Sequence, residues 1–202
     1  MEKVDYKKTL KHLYLAPAGE VVAVDVPPLN FLMVDGQGDP NTAQSYKEAI
    51  EALFSLSYTL KFLVKKGPLA LDYGVMPLEC LWWADDMGDF ASGNKARWKW
   101  TAMVMQPPCI TPALVQEGIA SLKKKKQLAA LDLLRFECFA EGHCAQTLHI
   151  GPFSEEGPAI ERVHRFITAR GQLRGMHHEI YLSDISRAAP EKWKTLVRQP
   201  MQ

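Results

Sequence analysis

The chain has 202 residues, of which 47% are hydrophobic, and its 24 Lys and Arg residues nearly balance its 23 Asp and Glu residues. A chain of this length can bury one substantial core, either as a single domain or as two closely packed halves. The near-zero net charge, without a basic stripe among aromatic residues, disfavours a nucleic-acid-binding protein. No apolar stretch is long enough to span a bilayer and no signal-peptide core is present, so we expect a cytoplasmic protein with no membrane partner.

The four cysteines are expected to be free thiols, because their spacing is not that of a small disulfide scaffold: Cys80, Cys109, Cys138 and Cys144. A zinc site is an alternative for the segment FECFAEGHCAQTLHIG, which holds Cys138, His143, Cys144 and His149. The segment is typical of two strands and a tight turn, so Cys144 and His149 are predicted to point to opposite faces. We therefore expect no metal and no other cofactor.

The first half of the chain is predicted to contain four strands and one long helix. Two short β-type runs occupy residues 20–35, and apolar positions at three- and four-residue spacing then predict an amphipathic helix from Thr42 to about Lys66. Gly67 and Pro68 end that helix. Two strands, Leu71 to Trp83 and Arg97 to Gln106, follow on either side of an acidic loop.

The second half repeats this order after a linking helix at about residues 112–128. Strands are predicted at 131–140 and 144–150, a helix at 155–170, and strands at 176–183 and 193–199. We infer one domain spanning 1–202 with an internal duplication, whose halves at about 20–106 and 131–200 are joined by the helical linker. The fold class is therefore α+β, with helices covering the apolar face of an antiparallel sheet and the other face curved around a ligand groove.

Aromatic side chains and an acid concentrate between residues 72 and 106. Four of the five tryptophans of the chain lie there, together with Tyr73 and Glu79: Trp82, Trp83, Trp98 and Trp100. Indole faces beside a carboxylate suit a cavity that stacks on a flat or cationic small molecule. A Trp-rich core with a carboxylate at its rim is the alternative, since aromatic residues in strands more often serve packing.

A second acid lies in the predicted strand MHHEIYLSD. Ile180 and Leu182 share one face and are expected to face the helix-covered core, which leaves His177, Glu179 and Tyr181 on the groove face. Glu79 is expected near Glu179 across the pseudo-two-fold axis. Loss of hydration among aromatic rings is expected to raise the pKa of such a carboxylate, as a general acid or base requires. Alternatively, the acid pairs with a cation of the ligand, or is simply exposed on a half-solvated sheet.

The chain resembles stand-alone members of the GyrI-like small-molecule-binding family. The resemblance covers most of the 202 residues and is carried, in order along the chain, by NFLMVDGQGDPN, DYGVMPLECLWWADD, RWKWTAMVMQP, HIGPFSEEGPAIERVHRFI and HHEIYLSD. It implies two strand-helix-strand-strand (SHS2-type) modules that form an eight-stranded antiparallel sheet around a central ligand groove.

The family includes effector-binding domains of transcription regulators, inhibitors of DNA gyrase, and stand-alone hydrolases of cyclopropane-bearing alkylating agents. About thirty residues precede the first module, which is too few for a helix-turn-helix domain, so a transcription factor is not expected. The match is closest to the hydrolase-like group. The expected function is therefore a metal-independent hydrolase that detoxifies flat electrophilic xenobiotics.

The residues expected to serve this reaction match the two acid-containing segments. Glu179 is the expected general base, Tyr73 the donor to the substrate carbonyl, and Glu79 the residue that orients the water or tunes Glu179. The residues expected to contact the ligand are Trp82, Trp83, Trp98, Trp100, His177 and Tyr181. Sequestration of planar aromatic cations without turnover and a gyrase-inhibitor-like partner protein are the alternatives. The loop at 84–96 is a candidate lid.

Overall fold

The computed structural model describes residues 3–86 and 93–202. Its α-helices are α1 (Tyr6–Thr9), α2 (Lys11–Tyr14), α3 (Gln44–Lys66), α4 (Pro112–Lys123) and α5 (Gly157–Thr168). Its strands are β1 (Lys3–Val4), β2 (Val22–Val26), β3 (Leu29–Gln37), β4 (Asp72–Tyr73), β5 (Leu78–Trp83), β6 (Lys99–Gln106), β7 (Arg135–Phe139), β8 (Gly142–Ile150), β9 (His177–Tyr181) and β10 (Lys194–Pro200). The α+β class is confirmed.

Eight of the strands form one antiparallel sheet in the order β2, β8, β10, β9, β5, β6, β3 and β7. The two remaining strands, β1 and β4, pair in parallel as a separate ribbon. The predicted eight-stranded antiparallel sheet is therefore confirmed. The central ligand groove and the internal duplication stay predictions.

The described residues divide into two compact units that interleave along the chain. Unit 1 comprises the described residues of Met1–Thr9, Leu29–Met76 and Trp83–Phe139, and unit 2 comprises Leu10–Pro28, Pro77–Trp82 and Ala140–Gln202. In unit 1, α3 packs on β3 and β6 and buries an apolar stripe that includes Ala49, Leu53, Leu56 and Leu60. Gly118 lets α4 approach α3, since a Cβ there would lie 2.8 Å from Leu56 Cδ1.

In unit 2, α5 covers one face of β8 and β10. Its inward residues Ala159, Val163 and Ile167 form a buried cluster with Ala145 of β8 and Val197 of β10. Gly157 and Pro158 begin the helix, in agreement with the preference of proline for the first helical turn, where its missing N–H costs no hydrogen bond.

The predicted element order agrees with the structure, with local differences. The predicted strand from Leu71 to Trp83 is interrupted between Tyr73 and Leu78, a stretch in which Gly74 adds flexibility and Pro77 lacks a ladder donor. The predicted strand at 131–140 begins as a 3₁₀ turn, Leu131–Leu133, and the linking helix ends at Lys123. Part of the proposed lid at 84–96, residues 87–92, lies outside the described residues.

Among the described residues, no helix is both long enough and apolar enough to cross a bilayer.

Candidate functional site

The site is built on β9, whose neighbours fix the direction of each side chain. Antiparallel pairing places Glu179 opposite Cys80 of β5 and Val197 of β10, whereas Ile180 lies opposite Glu79. Residues directly opposite each other in a sheet share a face, and consecutive residues alternate. Glu79 and Glu179 therefore lie on opposite faces, and the expectation that the two acids meet is wrong.

The face that α5 covers is the face of Glu179. Val197, its cross-strand neighbour, packs in the same cluster as Ala159 and Val163 of α5. The expectation that Ile180 faces the helix-covered core is thus also wrong. Side-chain hydrophobicity could not predict which face of β9 is covered by α5. The covered face carries Glu179 and other polar groups, which interact with one another near the start of the helix.

Glu179 is a largely buried carboxylate that is surrounded by donors. Its side chain is 15% exposed, His177 Nε2 lies 3.1 Å from Oε1, and the Tyr181 hydroxyl donates to Oε2 at 2.6 Å. Burial alone would raise the pKa of Glu179, but hydrogen bonds with His177, Tyr181 and Glu156 lower it below its usual range. The expected upward shift is therefore wrong, and Glu179 is negatively charged at neutral pH.

Three further side chains belong to the surroundings of Glu179, His177 and Tyr181, and the sequence analysis did not predict them. Glu156, the buried residue immediately before α5, hydrogen-bonds Glu179, and the Phe153 ring stacks edge-on against Tyr181 with centroids 5.4 Å apart. Burial, followed by the charge of His177, lowers the pKa of His164 on α5. The sequence SEEGP suggests only turn chemistry, so nothing in it distinguishes buried Glu156 from exposed Glu155.

A second charged network occupies the opposite face of β9. His178 lies between two carboxylates, with Nε2 3.1 Å from Glu79 Oε2 and Nδ1 3.0 Å from Glu141 Oε1. Arg198 Nη1 lies 3.1 Å from Glu141 Oε2, and the Tyr14 hydroxyl donates to Glu79 Oε1 at 2.7 Å. All five side chains are buried. Two carboxylates thus face two cations, which is the compensation that buried charges require.

The charged groups of this network shift the pKa values of their neighbours. Burial would lower the pKa of His178, but Glu141 and Glu79 raise it to about 9. Burial would raise the pKa of Glu141, but His178 and Arg198 lower it to about 2. His178 is therefore an imidazolium ion at neutral pH.

The same network fixes the N-terminal segment of unit 2. Arg198 Nη2 donates to the carbonyl oxygen of Leu13, and Gln146 Nε2 donates to that of His12 at 3.0 Å. Gln146 Oε1 in turn accepts from Arg198 Nε at 3.0 Å. Residues 12–14 are thus held on the sheet face that carries Glu79.

Comparison with known proteins agrees with this fold. The model of the GyrI-like small-molecule-binding domain matches residues 19–201. The chain belongs to the GyrI-like family. A conserved protein of uncharacterised function from Listeria innocua is 37% identical, with 98% of both chains covered and a TM-score of 0.85.

Two further solved structures similar to this chain are of hydrolases from Listeria innocua. One is 36% identical with a TM-score of 0.83 over 98% of both chains. The other is 37% identical with a TM-score of 0.86 over 98% of this chain and 99% of that one. None of the curated proteins is significantly similar to this chain.

Tyr73 of this GyrI-like chain lies in unit 1, in the short strand β4. Its side chain is 1% exposed, and its hydroxyl has no hydrogen-bond partner among the described residues. Burial, followed by Cys109, raises the pKa of Tyr73, and the Tyr6 ring contacts it edge-on at 6.2 Å between centroids. A buried phenol with an unused donor is rare, because such groups are ordinarily satisfied.

The tryptophans of the predicted ligand wall differ in their surroundings. Trp100 is fully buried in unit 1, with its ring 4.9 Å from that of Tyr46, and a Cβ on Gly36 would lie 2.2 Å from its indole. Trp98 precedes β6 and is half-buried, with Lys95 Nζ 5.4 Å from its ring centroid. Trp82 is buried and Trp83 half-buried. Packing against Tyr46 accounts for Trp100, whereas Trp83 and Trp98 retain exposed area.

The described residues contain no group of three or more His, Cys, Asp or Glu side chains arranged to hold a metal ion. Cys138 is exposed on β7 and Cys144 is buried on β8, and burial, followed by the charge of Glu141, raises the pKa of the Cys144 thiol to about 12. At neutral pH that thiol is protonated, which does not suit it to metal binding.

Proposed function

We propose that this GyrI-like protein is a hydrolase that adds water to flat, electrophilic xenobiotics, with a cyclopropane fused to a dienone as the reactive group. Its support from the comparisons is the similarity to two hydrolases at 36% and 37% identity over nearly the whole chain. The specific substrate class comes from the sequence resemblance.

The observation that carries the proposal is the state of Glu179. Its carboxylate is ionised, 15% exposed, and fixed by His177 and Tyr181 at 3.1 and 2.6 Å. A base must be unprotonated and correctly oriented when the reaction begins, and these contacts provide both conditions. The same hydrogen bonds make Glu179 a weaker base. The reaction must therefore be favoured by the free energy of the ring opening itself.

Ring opening supplies that driving force, because it restores aromaticity. The water oxygen bonds to a cyclopropane carbon while the carbon–carbon bond breaks, and its electron pair moves through the dienone to the carbonyl oxygen. Glu179 accepts one proton from the water and later releases it to solvent, and the phenolate takes one proton from solvent. The product is substrate plus one water, without an oxidant, a reductant or a cofactor.

Tyr73 and Glu79 have supporting parts in this proposal. Tyr73 donates a hydrogen bond to the carbonyl oxygen as it becomes phenolate, which its unused hydroxyl suits. Glu79 acts as a positioning residue, since it pairs with His178, the neighbour of Glu179 on β9. Of the residues predicted to contact the ligand, the ones that share the sheet face of Glu179 and contact the planar body of the substrate are Trp82, His177 and Tyr181.

The test is incubation of the purified protein, without added metal or nucleotide, with a cyclopropane-bearing dienone, followed by mass spectrometry. We expect a water adduct formed over many turnovers. Glu179→Gln keeps the shape and removes the base, and Glu155→Gln is the matched control on an exposed glutamate. Turnover by Glu179→Gln at the rate of the parent would exclude Glu179 as the base.

A second candidate function is sequestration of planar aromatic cations. The observation that favours it is the lowered pKa of Glu179, because a permanent negative charge in a buried site attracts a cation. Tryptophan fluorescence separates the two functions. Lasting quenching with intact compound recovered would support sequestration, whereas quenching that reverses as product accumulates would support the hydrolase.

A further inference from the structure

The fifth tryptophan of the chain, Trp193, lies on the sheet face of unit 2 that carries Glu179. It immediately precedes β10, and Thr195, two residues later, is the cross-strand neighbour of Tyr181 on β9. The Phe153 ring contacts both aromatic residues, with its centroid 4.9 Å from that of Trp193 and 5.4 Å from that of Tyr181. Since the Tyr181 hydroxyl donates to Glu179 Oε2 at 2.6 Å, Phe153 and Trp193 lie immediately beyond the residues that contact Glu179.

The backbone holds Phe153 in this position. Gly151, which follows β8, has a φ of +139°, a conformation that favours glycine, and its N–H donates to the carbonyl oxygen of Trp193 at 3.0 Å. His149 Nε2 lies 3.1 Å from the carbonyl oxygen of Pro152, and Phe153 then begins a 3₁₀ turn. The position of the Phe153 ring is therefore set by a hydrogen-bonded turn.

Trp193 is fixed at two points. Its indole Nε1 donates to the carbonyl oxygen of Ala188 at 2.8 Å, and its backbone N–H donates to that of Pro190 at 3.1 Å. The Ala188 N–H in turn donates to the carbonyl oxygen of Asp184 at 3.0 Å, which orders the loop that carries the acceptor. An aromatic ring that is already held in place loses little conformational entropy when a ligand stacks on it.

Both rings keep surface that the protein does not cover. Phe153 is 37% exposed and Trp193 is half-buried, whereas the apolar side chains Ala159 and Val163 of α5 are fully buried. Partly exposed aromatic rings next to a largely buried, ionised carboxylate are typical of a small-molecule site, in which apolar walls surround a few polar groups. A ligand ring that stacks on Phe153 or Trp193 would remove this apolar surface from water.

The spacing along β9 sets how far such a ligand must extend. His177, Glu179 and Tyr181 share one face, and alternate residues of a strand are about 7 Å apart. Trp82, the cross-strand neighbour of His177, lies at one end of this row, and Phe153 lies beyond Tyr181 at the other end. A single ring that reacts at Glu179 does not extend past Tyr181 to Phe153, whereas a ligand with a second, linked ring does.

We propose that Phe153 and Trp193 form an aromatic subsite that determines specificity, by stacking on a second planar ring of the substrate while the first ring reacts at Glu179. The identity of the reacting group rests on the proposed hydrolase function, but the contribution of the subsite to binding does not depend on turnover. The preferred substrates are therefore compounds in which a planar aromatic ring is linked to the reactive dienone.

Isothermal titration calorimetry with two unreactive probes tests the subsite independently of catalysis. In both probes a gem-dimethyl group replaces the cyclopropane of the dienone, and the longer probe also carries a naphthyl group through an amide link. We expect the parent to bind the longer probe about tenfold more tightly, because stacking and the burial of a ring favour it. Phe153→Ala should lose most of this ratio. Phe62→Ala, at a comparably exposed phenylalanine on α3, is the matched control and should keep it.

Further variants separate stacking on the ligand from packing within the protein. Phe153→Leu preserves apolar volume but lacks a ring face, so the ratio of the two affinities should fall. Phe153→Tyr keeps the ring and should keep the ratio, and Trp193→Leu should act in the same direction as Phe153→Leu. Equal affinity of the parent for the two probes would overturn the proposal, as would an unchanged ratio in both leucine variants.

Steady-state kinetics with the corresponding pair of cyclopropane-bearing compounds separates this inference from the proposed function. We expect the longer substrate to have the lower KM in the parent. Phe153→Leu should raise that KM more than it lowers kcat, because the subsite is remote from the reacting atoms and contributes to binding. Absence of turnover in the parent would refute the hydrolase, while the calorimetric ratio would still decide the subsite.

Discussion

His177 and His178 are consecutive in the chain, yet they face opposite sides of β9 and pair with different acids. His177 contacts Glu179 at 3.1 Å on the face covered by α5, and His178 contacts Glu79 at 3.1 Å on the other face. One dipeptide thus supports both the candidate site and a buried ion network. Variants at these two positions are therefore expected to have separable effects.

Replacing His178 by Gln is expected to destabilise the protein strongly. The change leaves the buried carboxylates of Glu79 and Glu141 without their shared cation, and breaking a buried ion pair costs about 3 to 5 kcal/mol. Urea unfolding measures the loss. His143→Gln is the matched control, since His143 pairs with Asp25 but is half exposed, and its loss is expected to stay below about 1 kcal/mol. Equal effects of the two variants would contradict the prediction.

The free energy of unfolding is expected to fall at alkaline pH because of His178. Its pKa rises from the usual histidine value of 6.5 to about 9 on folding, so the native state holds the proton more tightly than the unfolded state. This contribution is fully present below pH 6.5 and is lost as the pH rises through about 9. Unfolding measured in urea from pH 6 to pH 10 checks the slope. His178→Gln should show a smaller decline over the same range.

Tyr14→Phe is expected to weaken the attachment of the N-terminal segment. The variant removes the hydroxyl that donates to Glu79 at 2.7 Å, and a hydrogen bond to a charged group contributes about 1.5 to 3 kcal/mol. The measurement is urea unfolding, with hydrogen exchange at residues 12–15 as a local readout. Tyr58→Phe, at a half-exposed position, serves as the control and should leave both readouts unchanged.

Tyr73→Phe is expected to reduce turnover without reducing stability. The hydroxyl of Tyr73 has no partner among the described residues, so its removal costs no hydrogen bond in the free protein. If it donates to the substrate oxygen in the transition state, kcat should fall by about 10²-fold to 10³-fold. Steady-state kinetics with the cyclopropane-bearing dienone and thermal unfolding are the two measurements. A variant that keeps full activity would remove Tyr73 from the mechanism.

Sequence patterns predicted the elements well because local signals agree with the tertiary fold. The apolar stripe through Leu53, Leu56 and Leu60 predicts α3, and Gly67 marks its end within one residue. The break after Tyr73 was missed, since the apolar residues on both sides of it form one continuous pattern. The N-terminal helices were also missed, because they are each only four residues long, and α2 depends on the contacts of Arg198 and Gln146.

Only part of the candidate site was predicted from the sequence, and its geometry was not. Glu179, His177 and Tyr181 do lie together, as strand alternation requires. Glu79 was placed on the wrong face because the register between β5 and β9 is set by long-range pairing, which a single sequence does not encode locally. The direction of the pKa shift of Glu179 was wrong because the interactions of Glu179 with His177, followed by Tyr181, outweigh the effect of burial.

The carbonyl oxygens of His12 and Leu13 satisfy two of the buried donors of unit 2, one on Gln146 and one on Arg198. The recognisable family region begins only at residue 19. A fragment trimmed to that boundary would keep every motif by which the family is identified, but it would expose Arg198 and the edge of a charged interior to water. The part of the chain that the family model detects is therefore shorter than the part that must fold together.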